Sequence, residues 1–393
     1  MSKGDIALIR PEMLKWARES AGMSLEIAAQ RMRLPVGKVK SWEEGNSAPT
    51  INQAHHLAEI YHQPFAVFYL PKPPRKKYLK VKDYRRLPKA KSGIVSSELT
   101  LEIRRANERR EIALELLEEQ QQTPPLFNLR TEVTANPQSL GELIRSKLEI
   151  EFAKQSTWRN PDKAFARWKA RIEELGILVF QTSSRNLAVK EARGFSISEA
   201  TLPVIVVNRK DAPQAKIFTM LHELTHIMLR NSGLCDPVAL YQRTSQAGDA
   251  IEVFCNRVAA ETLIPQKFFL AEDLVTRIKQ GGSWGDKDVV EVARKYNTSY
   301  EAILRRLLTF KLISVDFFRK KRADRRAANA IRPKSRGGPV PPVVRALNTN
   351  GIPLTRLVIN AYYSRHITAH DLANYLDVKV SQVKQVAERV GIG

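Results

Sequence analysis

The chain has 393 residues, too many for one ordinary domain, and its 43% hydrophobic content is that of a folded rather than a disordered polypeptide. Lys and Arg exceed Asp and Glu by 64 to 41, a formal charge of +23, which favours polyanionic partners, nucleic acid first and an acidic protein surface second. No stretch reaches the apolar length of a membrane span, and Cys235 and Cys255 are too few for a disulfide framework. With no apolar core in MSKGDIALIRPEML, the expectation is a cytoplasmic protein with no membrane partner.

From Pro11 to Tyr69 the pattern is one of short amphipathic helices. Gly22 ends one of them, Ser24 caps the next, Ala28 sits where two helices close together, and Pro35 opens a third. Pro71, Pro73 and Pro74 then begin a basic run, so residues 1–72 are predicted as a first domain. Residues 73–130 follow as a basic linker and a long charged connector helix over 97–122. Helical spacing continues at 140–148 and 163–175. The period then changes, and the β-branched and aromatic runs at 177–181, 192–197 and 203–208 read as a small sheet. Helical pattern returns to about Leu312, which gives a domain over 131–316. The Arg- and Lys-rich stretch 319–336, followed by GGPVPP, reads as a basic linker or arm within 317–342. Residues 343–393 close the chain as a small helical unit. The expected class is mostly α (α+β), with an N-terminal five-helix-type domain, a domain built on a small β-sheet, and a C-terminal helical unit.

Within KIFTMLHELTHIMLR, His222 and His226 lie four apart, so one helix face carries both imidazoles within reach of a single cation, with Glu223 beside them. In such an arrangement a divalent ion lowers the pKa of a water molecule, and the glutamate takes its proton and delivers it to the leaving amine. A catalytic site of this kind needs a third protein ligand. Glu252, on the helical run DAIEVFCNRVAAETLIP, is the best placed, and Asn256 one turn later is placed to support a ligand by hydrogen bonding. Asp236 and Asp249 are alternatives in polar contexts, whereas Cys255 reads as a small buried hydrophobe. His366 and His370 repeat the spacing without an acid between them and read as surface or packing residues.

The succession GILVF, RGFSI, PVIVVN, FTMLHELTH and then ExxxN from Glu252 to Asn256 with AAETLIP resembles, over about residues 175–308, the ImmA/IrrE family of zincin-like metallopeptidases. The resemblance implies His222, His226 and Glu252 as ligands of one divalent metal ion, zinc first, and Glu223 as general base. Family members cut transcriptional repressors and thereby derepress genes. Residues 13–50, MLKWARESAGMSLEIAAQRMRLPVGKVKSWEEGNSAPT, are similar to the Xre/Cro-type helix-turn-helix. That likeness makes 35–44 the recognition helix and turns Lys38, Lys40 and Ser41, with Arg33 nearby, toward duplex DNA. Leu25 stands where that motif often has a phosphate-contacting Gln. Residues 296–300 resemble a helix-turn-helix turn but read as lid or packing structure, and 367–391 repeat the two-helix pattern, with 377–380 as the turn and Ser381 starting the second helix.

The combined expectation is a DNA-binding regulatory metallopeptidase that cleaves a repressor or partner protein. The competing expectation is a DNA-binding regulator, antitoxin-like and partnered with a toxin, in which the metallopeptidase fold serves for binding. Glu223 favours catalysis, since a purely structural metal site needs no general base.

Overall fold

The computed structural model describes residues 5–74, 96–184, 186–230, 234–235, 247–279, 284–331 and 340–392. The chain is mostly helical with one small sheet, and it divides into two compact units, Met1–Leu79 with Leu87–Asn107, and Lys80–Arg86 with Glu108–Gly393. No described helix is long and apolar enough to cross a membrane.

The first unit holds α1 (Pro11–Ser20), α2 (Leu25–Met32), α3 (Val36–Glu43), α4 (Ile51–Tyr61) and a 3-10 turn at Phe65–Tyr69, and it ends within α5 (Ser97–Glu119). Four helices and a 3-10 turn thus stand where five helices were expected before α5. The Ser24 side chain caps α2 by accepting from the Ile27 N–H, and Thr50 with Gln53 forms a capping box on α4. Leu14, Ala17, Ala28, Trp42, Leu57 and Phe68 form the core. Arg18 fastens α1 to α3 by donating to both Glu43 oxygens at 2.7 and 2.9 Å, and its remaining arm donates to the Met23 carbonyl at 2.7 Å. Arg31 is taken up in the same way by Glu98 and Ser97 of α5, at 2.6 and 2.9 Å.

The second unit opens with α6 (Pro137–Lys147), α7 (Phe152–Gln155) and α8 (Pro161–Glu173), then β1 (Leu178–Gln181), β2 (Gly194–Ile197) and β3 (Val204–Val207). Helix α9 (Pro213–Met228), β4 (Leu234–Cys235) and α10 (Ala247–Leu263) follow, and after them α11 (Gln266–Leu270), α12 (Asp273–Lys279), α13 (Asp286–Lys295), α14 (Tyr300–Thr309) and α15 (Val315–Ile331). The strand order is β1-β3-β2-β4, with β1 parallel to β3 and β2 antiparallel to both neighbours. Every residue of β1, β2 and β3 is buried, which explains their nearly continuous apolar sequences. Trp168, Ile205, Met220, Leu224 and Val258 belong to the core that joins the sheet to α8, α9 and α10. A buried polar network ties the helices beneath it: Arg145 donates to Gln155 at 2.6 Å and to the Thr262 carbonyl at 2.9 Å. Gln155 in turn donates to the Leu263 and Tyr296 carbonyls at 3.0 and 2.9 Å.

The basic stretch expected as a linker is helical as far as Ile331. Arg, Lys and Ala are good helix formers. Phe318 anchors α15 in the core, while Lys321 and Arg322 find Asp286 and Glu301, each at 2.8 Å, on the two preceding helices. Residues 332–339 of the expected arm lie outside the described residues.

The C-terminal unit is α16 (Pro342–Asn350), α17 (Ile352–Tyr363), α18 (Ala369–Leu376), a 3-10 turn at Val380–Gln382 and α19 (Val383–Arg389). It packs on β1, which is an edge strand. Alternation along β1 turns the Val179 carbonyl away from β3. Gly351 lies there with φ +73 and ψ 163, a backbone conformation open to glycine alone. A Cβ at Gly351 would stand 2.8 Å from the Val179 oxygen and 2.9 Å from Glu173 Oε1. The neighbouring Asn350 accepts from Arg109 Nε at 2.9 Å and donates to the Leu376 carbonyl at 2.9 Å.

Candidate metal centre

Helix α9 starts on Pro213, whose ring pre-sets the first helical residue. From Thr219 to Met228 all its side chains are buried, because the helix is apolar around most of its circumference and is covered by α8, α10, β2 and β3. His222, Glu223 and His226 are therefore polar groups carried into the core by the helix itself. Helix α10 brings Glu252 to them from the other side, also buried.

The two imidazoles turn Nε2 atoms toward each other at 3.0 Å, with ring centroids 4.8 Å apart. The Glu252 oxygens stand 3.3 Å from His222 Nε2 and 3.1 Å from His226 Nε2. Burial pushes the His226 pKa down, toward the neutral ring that offers a lone pair. Burial alone would raise Glu252, but the charge and hydrogen bonds of His222 and His226 outweigh it and hold the carboxylate well below its usual range. Neutral imidazole and ionised carboxylate are the ligand forms. Contact distances near 3 Å are what three donors about 2 Å from a shared tetrahedral ion require of one another. Among the described residues no N–H of backbone, Lys or Arg reaches the buried Glu252 carboxylate, which also calls for a cation. The residues fit a divalent metal ion.

Glu223 points neither oxygen at a hydrogen-bond donor of standard geometry and is fully buried. Burial pushes its pKa up to about 8, aided by Glu252 and opposed by His222 and the Ser196 hydroxyl of β2. A carboxyl so placed is a ready proton acceptor near neutral pH. Ser196 was not singled out from the sequence, although it is the one hydroxyl in the buried run GFSI, and that was the available signal.

Asn256 lies half-buried one turn beyond Glu252, and no hydrogen bond joins it to the three ligand candidates. Cys255 is buried in the apolar core and outside the His222, His226 and Glu252 cluster. The Asp249 side chain and Asp236 lie outside the described residues, and His366 and His370 are exposed. A groove of about 540 Å³ between the start of α8 and the α13–α14 turn is lined by Trp158, Arg294, Tyr300 and Arg325 and includes none of the four site residues.

In the first unit, Arg33, Lys38 and Lys40 are exposed on α3 and on the turn that precedes it. Arg33 holds the left-handed residue between α2 and α3, the Lys38 ammonium lies 5.9 Å over the Trp42 ring, and Lys40 pairs loosely with Glu44 at 3.5 Å. Ser41 is different: its hydroxyl is engaged within the chain, by the Lys38 carbonyl at 2.9 Å and the Ser47 hydroxyl at 2.7 Å.

No curated protein matches the chain. Residues 172–308 match the Peptidase_M78 family model, described as the IrrE N-terminal-like domain, which takes in β1 to α14 and with them His222, Glu223, His226 and Glu252. Over those residues the chain is similar to that domain and has a metallopeptidase-type fold.

Proposed function

We propose that this protein is a DNA-associated regulatory metallopeptidase that hydrolyses a peptide bond in a protein partner, a transcriptional repressor being the expected class. The observation that carries the reading is the meeting of His222, His226 and Glu252 at contact distance beside the fully buried Glu223. Those three residues would hold one divalent ion, and a His2Glu donor set suits zinc. Bound there, such an ion supplies Lewis acidity to water and to the scissile carbonyl. Glu223 accepts the proton of the attacking water and returns it to the leaving nitrogen. The Ser196 hydroxyl lowers the Glu223 pKa against the effect of burial, and the apolar wall of α9 keeps bulk water from competing for its proton. Arg33, Lys38 and Lys40 give the first unit a basic surface suited to phosphates and the major groove, so duplex DNA is the proposed partner there.

The test is incubation of metal-loaded protein with a repressor or partner encoded beside it, read by gel and mass spectrometry. Cleavage at a discrete bond by the parent and not by Glu223→Gln is the expected result. A parent that binds the partner and leaves it whole with every divalent ion supplied would instead favour the antitoxin-like regulator.

A further inference from the structure

Helices α18 and α19 repeat the layout of α2 and α3 position by position. Ser24 and Thr368 each cap an 8-residue helix by accepting a backbone N–H of its first turn. Each helix ends on a left-handed residue at the same distance from its cap, Arg33 with φ 56 and ψ 43 and Asp377 with φ 54 and ψ 50. Leu34 and Val378 follow, both half-buried, and the next helical turn opens at Val36 and at Val380. In the same register the buried Ala28, Met32, Val39 and Trp42 correspond to the buried Leu372, Leu376, Val383 and Val386. The exposed Lys40 corresponds to the exposed Lys384.

A third helix pair shows that this spacing alone is not enough. Helices α13 and α14 join through the left-handed Asn297, with φ 54, and bury Ile303 where Val39 and Val383 are buried. There the position of Lys40 and Lys384 is taken by Leu304, fully buried, and α15 lies against α14 with Arg322 on Glu301. The outer face of α14 is closed. That of the C-terminal pair is open: Val380, Ser381, Lys384 and Gln385 are exposed, and among the described residues no side-chain hydrogen bond engages Ser381, Lys384 or Gln385. Val380 is 54% exposed, and its counterpart Val36 is 39% exposed. A bare valine at the start of a helix has no packing purpose, but it matches a thymine methyl. Ser, Gln and Lys are side chains that read base edges, and Lys379 and Arg389 flank them for phosphates.

We infer that the C-terminal helices α17–α19 form a second DNA-reading surface, with Val380, Ser381, Lys384 and Gln385 facing the major groove of a duplex. The inference rests in part on the proposed DNA reading by α2 and α3, and the two are separable by experiment. Full-length protein is used to select duplexes from a random pool, and its binding to a generic duplex is followed by fluorescence anisotropy across a salt series. The variants are Lys384→Glu with Gln385→Ala, Lys38→Ala with Lys40→Ala, and all four together, each checked for an unchanged melting curve, since the replaced side chains are exposed. The C-terminal double variant is expected to bind the selected duplex at least about tenfold more weakly. It should also lose about one unit of salt slope and select a shorter sequence. Parental affinity, slope and selected sequence in that variant would overturn the inference, and a loss confined to the Lys38 and Lys40 variant would leave the N-terminal reading standing alone. Loss only in the C-terminal variant would uphold the inference and remove the N-terminal reading. A parent that binds no duplex at low salt would overturn both.

Discussion

Glu223→Gln should make the metal-free protein more stable and the metal-loaded protein much slower at hydrolysis. The Glu223 carboxyl has an ordinary value of 4.5 and is pushed to about 8 in the folded chain, chiefly by burial. Between those values the folded protein keeps a proton that the unfolded chain gives up, so stability falls as pH rises through the window. At about 1.36 kcal/mol per unit, the parent should be destabilised by roughly 3 kcal/mol at pH 7 and by roughly 5 kcal/mol above pH 8, with almost no effect near pH 4.5. Glutamine has the same size and cannot ionise. The variant, stripped of metal with a chelator, should therefore unfold at higher denaturant than the parent, by a gap that widens from pH 5 to pH 8.5. In the metal-loaded protein the same change should lower the proposed hydrolysis by about 10² to 10⁴. Equal stabilities at pH 7 and 8.5, or a gap that ignores pH, would refute the idea that the base is an uncompensated buried acid.

Metal content should drop to near zero in His222→Ala and fall strongly in Glu252→Ala, measured by elemental analysis of purified protein; parental content in both would dismiss the site. Gly351→Ala should destabilise the contact between α16 and β1 by roughly 2–6 kcal/mol, from about 1–3 kcal/mol of backbone strain and about 1–3 kcal/mol of overpacking against Val179 and Glu173. Gly391→Ala, with φ +78 and nothing within 4 Å of the added carbon, should show only the backbone part, roughly 1–2 kcal/mol. Hydrogen exchange over residues 342–363 distinguishes the two, and equal protection in both variants would contradict the close approach. Lys38→Ala with Lys40→Ala should weaken duplex binding and reduce its salt slope by about one for each lost phosphate contact.

The cluster of His222, His226 and Glu252 was legible because its signal is local. Four-residue spacing on an apolar helix can place His222 and His226 in only one relation, and the apolar positions around Glu252 oriented a second helix toward the same core. The strand segments were legible for a similar reason, since 177–181, 192–197 and 203–208 enclose β1, β2 and β3. What failed were features settled by partners distant in sequence. The charge of α15 suggested a linker or arm, and Phe318 in the core with the acids of α13 and α14 makes it a packed helix. Ser196 looks like one more strand residue until Glu223 is beside it. The parallel pairing of β1 with β3, with β2 antiparallel between β3 and β4, is not encoded in any short run of residues.

The glycine turn against β1 has a consequence for incomplete chains. A copy whose synthesis stops short of α16 would present the outward amides and carbonyls of Leu178–Gln181, a mostly apolar strand, as a template for any other extended segment. Such copies should pair with one another and leave solution, so the helices after Pro341 act as a seal on the sheet as well as a surface of their own. A sequence that lost them would have to replace the seal with a charge or a proline on β1, directly beside the fold that carries the candidate metal ligands.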